Sequence, residues 1–289
     1  MKSNFNDFKR FVENQQRKQN STGLDDFDGL SPDKMHNILY STFQKDGLIR
    51  LNPDISAESI NKIPIFRLVK HFMRILEREK QIKLTQAEYM PPKYVKELYE
   101  NTTLKDDAVE RGIVKLVGEK DVIIIFVARI LAKLCGYTKL RNNIITLTKA
   151  GEQALTDDRE LYFVLMAALI SKYNWGFESV RQDDGFIQRS VGYTLYLLKK
   201  YGNEYRETKY YYNKFFKAFP ASMDAFDFDP DPKYKTMSHW WAYRNRIFQT
   251  YLTYTGAVEY EIIYNKEEHT ETDQVRKTKL FNEIFTIKI

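Results

Sequence analysis

Two groups of side chains in this 289-residue chain have the types and spacing to act on a ligand. The first is a basic stripe, Arg67, Lys70, Arg74 and Arg78, set three or four residues apart. On a helix that spacing gathers the cations on one face, along about 16 Å at ~1.5 Å per residue. Such a row can follow phosphates along a groove edge. A solvated helix face is commonly charged as well, and Glu77 and Glu79 interrupt this one. The second group is Asn245, Arg246 and Gln249. These are side-chain types that pair bidentately with base edges, although they also make an ordinary polar helix face.

Other chemistry is thin. Asp224, Asp227, Asp229 and Asp231 could offer oxygen ligands to calcium or magnesium. The glycine and terminal glutamate of an EF-hand loop are missing, and Pro230 and Pro232 stiffen the segment, so a solvated loop fits better. Asp183 and Asp184 precede Gly185 and suggest a turn. The histidines, His36, His71, His239 and His269, are too scattered for a metal motif. Cys135 ends an apolar run and is expected to be a buried structural thiol. No glycine-rich phosphate loop, HExxH or GxSxG is present. No catalytic residue, cofactor site or metal site is therefore expected.

The elements that would position these groups are mostly helices. Phe5–Gln19 has helical potential within a polar arm, residues 1–29. Ser31-Pro32-Asp33 supplies an N-cap, a first-turn proline and an early acid for the next helix. Residues 63–80 form the cleanest amphipathic pattern, with Ile65, Phe66, Val69, Phe72, Met73 and Leu76 opposite the basic stripe. Residues 122–135 predict an apolar helix stopped by Gly136, then a short hairpin closing on Leu147-Thr148-Lys149. Residues 238–281 repeat that order with helix 238–255, Gly256, a second hairpin and Lys277-Thr278-Lys279.

The expected fold is mainly α with short β hairpins (α+β), as two winged-helix-like modules packed in tandem. Their expected bounds are 30–155 and 156–289, after the arm. A hydrophobic fraction of 43% and an aromatic fraction of 15% suffice for real cores. One cysteine excludes an internal disulfide. No apolar run reaches the ~20 residues of a membrane span, and the first residues lack the apolar core of a signal peptide. The chain is expected to be cytoplasmic, with no membrane partner. Its net charge of +6 lies wholly in residues 1–155, which hold 26 basic and 20 acidic residues, against 19 and 19 in residues 156–289. That bias is modest for a nucleic-acid binder.

Three segments carry a family resemblance: Gly29-Leu30-Ser31-Pro32-Asp33-Lys34-Met35-His36, Ile82–Thr85 with Pro91–Leu98, and Leu147-Thr148-Lys149-Ala150-Gly151. Together they resemble an uncharacterised group of bacterial proteins with winged-helix-like segments. The resemblance implies a fold and carries no activity. The chain departs from it at Gln86-Ala87-Glu88-Tyr89, where a glycine turn is expected.

The functional expectation is a non-enzymatic binding protein. Nucleic acid is one candidate partner, through Arg67, Lys70, Arg74, Arg78, Asn245, Arg246 and Gln249. A protein partner is the alternative, because helix 122–135 is too apolar to read bases and the Tyr- and Trp-rich second half suits an interface. An enzyme would need an active site assembled from scattered residues.

Overall fold

The computed structural model describes residues 2–177, 185–225, 231–265 and 270–289. Asp183, Asp184, Asp227, Asp229 and His269 lie outside them. The fold is mainly helical, with small sheets of short antiparallel strands.

The chain divides into two compact units. A discontinuous unit comprises Met1–Pro53, Trp175–Thr250 and Val258–Ile289, and a central unit comprises Asp54–Asn174 and Tyr251–Ala257. These bounds differ from the breaks at 29/30 and 155/156 that the sequence suggests. Residues 30–53 join the C-terminal half because strand Ile49–Leu51 pairs antiparallel with Phe285–Ile287, with Ile49 opposite Ile287. The Asn52 N–H also donates to the Ile284 carbonyl at 2.7 Å.

The polar arm is itself structured, as helix Lys2–Ser21 followed by a turn at Asp25–Phe27. Asp28 anchors that turn within the discontinuous unit. Its carboxylate accepts from Lys200 at 2.9 Å and from Lys214, and its carbonyl accepts from the Tyr196 hydroxyl at 2.9 Å. Burial pushes the Asp28 carboxyl up, but the hydrogen bonds from Lys214 and Lys200 outweigh it and hold the group below its ordinary range.

The central unit is organised around helix Pro64–Glu79. Its residues Ile65, Phe66, Val69, Phe72, Met73 and Leu76 are all buried as the amphipathic pattern predicts, and Leu68 and Ile75 join them. Strand Ile82–Lys83 and helix Pro92–Asn101 follow, then helix Ile123–Leu134 and the hairpin Thr138–Arg141 with Ile144–Leu147. Asn142 and Asn143 both have positive φ, 49° and 60°, so the two-residue loop turns with the twist of its strands.

The same order occurs again later in the chain. Helix Val191–Tyr201, strand Arg206–Glu207, helix Thr208–Ala218 and a helical run from 232 to 255 lead to the hairpin Val258–Asn265 with Thr270–Lys277. In each three-stranded sheet the hairpin's second strand lies in the middle, between its partner and the short early strand. Each helix before a hairpin stops at a left-handed glycine, Gly136 at φ 76° and Gly256 at φ 68°. A threonine then caps a short helix after each hairpin: Thr148 accepts from the Gly151 N–H and Thr278 from the Phe281 N–H. The echo in the sequence is thus a repeated topology.

One expected helix is not regular. The sequence predicts a helix over 238–255, but Pro232–Tyr243 is α, Arg244–Leu252 is π and Thr253–Thr255 returns to α. Apolar spacing does not reveal a widened turn, since it reports a face and not the hydrogen-bond ladder.

Candidate functional site

The basic stripe of helix 64–79 lines one side of an open groove of about 420 Å³, together with Asn61, His71 and Glu97. The structure therefore brings Arg67, Lys70, Arg74 and Arg78 together. It also supplies most of them with partners. Lys70 pairs with Asp158 at 2.6 Å. Arg74 donates to Glu77 at 2.7 Å and to the Leu155 carbonyl at 2.9 Å. Arg78 grips Glu97 with two bonds of 2.9 and 2.8 Å and also donates to Glu79 at 2.9 Å.

His71 lies 3.3 Å from the same Glu97 carboxylate. The Arg78 hydrogen bonds, opposed by burial and helped by His71, hold the Glu97 carboxyl down at about 2. Arg67 is exposed and makes no ion pair among the described residues. A phosphate entering this groove would have to compete with carboxylates already in place.

The second triplet is not presented as one open face. Arg246 is 3% exposed, with its guanidinium packed against Gly176. Asn245 is half-buried and accepts from Arg244 at 3.3 Å. Gln249 donates to the Tyr260 hydroxyl at 3.0 Å, and that hydroxyl donates to Asp273 at 2.8 Å. Burial takes Arg246 out of reach of a surface ligand, while Gln249 is committed to this internal network.

Asp273 is the network's centre and had no signal in the sequence. It is buried, accepts from the Thr208 hydroxyl at 2.7 Å, and lies 3.8 Å from the Arg244 guanidinium. Burial, and then the Asp273 charge, push the Tyr260 phenol up, so it stays a proton donor.

The central unit has a cavity of different character, about 350 Å³, on the outward side of helix 123–134. The core takes Ile124, Ile125, Val127, Ala128, Leu131 and Ala132. That leaves Ile123, Phe126, Ile130 and Lys133 as a second stripe at helical spacing. Phe126, Ile130, Leu140 and Ile145 form the apolar walls of the cavity, with Lys133 and Lys139 among the lining residues. Glu88 and Tyr89, from the turn after strand 82–83, line it as well.

A buried carboxylate holds this wall together. Glu119 accepts from Arg129 Nε at 2.8 Å and from the Met90 N–H at 3.0 Å, tying the 85–90 turn to helix 123–134. Arg129 lies over the Phe126 ring at 4.9 Å. The turn forms without its expected glycine because Glu88 itself adopts φ 61°. Glu119 is one of several charged residues in 101–120 and no motif marks it. A signal for this wall is present in the apolar surplus of helix 123–134, which has more large side chains than one face can bury.

Two reactive-looking groups are inert by environment. Cys135 is half-buried, not fully buried as expected, and burial pushes its thiol up to about 12. His239 lies 3.0 Å from the Ser222 hydroxyl and 3.2 Å from that of Tyr212, in an aromatic pocket with Phe215 and Phe216. Burial, then the nearby Arg246 charge, lower its pKa to about 4, so the imidazole is neutral at pH 7. Both members of this Ser–His pair are sealed from solvent.

Among the described residues, no three His, Cys, Asp or Glu side chains converge to hold a metal ion. No described helix is long and apolar enough to cross a membrane. Comparison with protein-family models, with curated proteins and with solved structures gives no match.

Proposed function

We propose that the chain is a non-enzymatic binding protein of two winged-helix-like repeats, and that its ligand is another polypeptide held by the first. The shared order of helix, strand, helix, helix and hairpin, with the second hairpin strand central in both sheets, supports the winged-helix reading. One observation carries the choice of ligand. The helix before the first hairpin, which in a winged helix would enter a DNA groove, opens an apolar cavity on that side. Base edges are read by polar side chains, whereas interface cores favour apolar and aromatic ones. The lone cysteine fits a cytoplasmic setting.

A second reading, nucleic-acid binding, is favoured by the groove of helix 64–79, where Arg67 stands exposed beside Lys70, Arg74 and Arg78. Titrating a generic duplex at 50 and 200 mM salt separates the two. The polypeptide reading expects weak binding that Arg67→Glu leaves unchanged. Tight binding that falls steeply with salt and is lost in Arg67→Glu would establish the nucleic-acid reading instead.

A further inference from the structure

We infer that the cavity beside helix 123–134 receives an acidic segment of a partner protein, which inserts one bulky apolar side chain between Phe126, Ile130, Leu140 and Ile145. This rests on the polypeptide-binding reading above and adds the chemistry of the partner.

Three observations carry it. The cavity's volume, about 350 Å³, is near the lower limit for ligand pockets. Its walls include exposed side chains, Leu140 at 43% and Tyr89 at 38%, so it can hold an inserted side chain while the rest of the ligand stays outside. That suits a peptide anchored at one residue better than a small molecule needing enclosure.

The charges around it are also uneven. Arg129 is neutralised by Glu119 at 2.8 Å. Lys133 and Lys139 have no carboxylate partner among the described residues, and Glu88 is the acid opposing them in the lining. This excess of positive charge selects carboxylates next to the anchor. The wall is also pre-formed. Glu119 fixes the turn to the helix, and the two-residue Asn142-Asn143 loop fixes the hairpin, so little ordering cost remains for the ligand to offset.

The test is selection of a random dodecapeptide display library on the full chain, followed by anisotropy titration of the enriched peptides. The expected consensus is a Phe, Trp, Leu or Met flanked by Asp or Glu. Lys133→Glu combined with Lys139→Glu should weaken such peptides at least roughly tenfold, and Ile130→Asp should abolish binding. Glu88→Gln should tighten it by roughly twofold, a gain that a misfolded variant cannot produce.

Enrichment of peptides unaffected by all these changes would overturn the cavity assignment while leaving polypeptide binding intact. A consensus of apolar residues without acids would overturn the charge argument. No enrichment at all would remove both this inference and the reading on which it rests. Binding of free apolar carboxylates, such as octanoate, as tightly as the peptides would identify a small-molecule site instead.

Discussion

The helices before the two hairpins begin from the same topology and end in opposite conditions. In the first repeat, helix 123–134 is regular, buries one apolar face and turns a second one outward over a cavity. In the second, residues 244–252 widen into a π-helix whose polar side chains turn inward, Gln249 to Tyr260 and Arg244 toward Asp273. Among the described residues, each repeat buries a carboxylate beside an arginine. Glu119 is at 2.8 Å from Arg129 and bridges to a backbone amide, whereas Asp273 has its guanidinium at 3.8 Å and relies on hydroxyl donors. One framework can therefore use a buried acid to prepare a surface or to stabilise an irregular interior. π segments occur frequently at functional sites, but here the side chains of the π turn are committed to packing.

The carboxylates provide the strongest way to break this comparison. Glu119→Ala leaves the Arg129 guanidinium, itself largely buried, without its partner and should cost about 3–5 kcal/mol. Asp273→Ala leaves mostly neutral hydroxyls and should cost about 2–3 kcal/mol. Urea melts give the sizes, and hydrogen exchange should show each loss of protection in the unit that holds the residue. An Asp273 cost below about 1 kcal/mol would mean that the second network does not support the π turn.

Acid separates the regions next. His239 is fully buried, and its pKa is lowered from 6.5 to about 4. The unfolded chain binds its proton first, so the stability is fully present above pH 6.5 and lost as pH falls toward 4. The loss is up to about 3 kcal/mol. Thermal melts from pH 7 to 4 should show it, and His239→Gln should flatten that part of the profile. No change in slope would place a protonated imidazole in the folded state.

Glu97 should titrate lower still. Its contribution is present above pH 4.5 and disappears as pH falls toward about 2. Because Arg78 is 54% exposed, solvent screening keeps the Glu97→Gln cost at neutral pH within about 1 kcal/mol. The smallest effect belongs to the turn beside the cavity. Glu88→Gly relieves a left-handed non-glycine residue and should stabilise the chain by about 0.5 kcal/mol in a urea melt. A loss would show that the Glu88 side chain supports the turn.

Local features were readable from the sequence because local rules govern them. Ser31-Pro32 caps its helix, the apolar face of helix 64–79 is buried residue for residue, and both glycine stops are left-handed. Features set by distant partners were not. Nothing near Ile49 announces Ile287, nothing near Asp273 announces Thr208, and Glu119 acquires its role only when Met90 and Arg129 reach it. The basic stripe was legible as a face, but its neutralisation by Asp158 and Glu97 was not. The cavity went unseen because an apolar helix suggests burial, and the hairpin and the 85–90 turn leave part of it uncovered.

The pairing of Ile49–Leu51 with Phe285–Ile287 also bears on how the chain is made. Asn52 bonds to the carbonyl of Glu283, 231 residues away. At about 5–20 residues per second, a ribosome needs roughly 12–46 s to bridge that gap. During that time the first strand has no partner, while most of the central unit has already emerged. Early strand edges left open in this way promote aggregation, and slowing translation late in the message should lower the soluble yield.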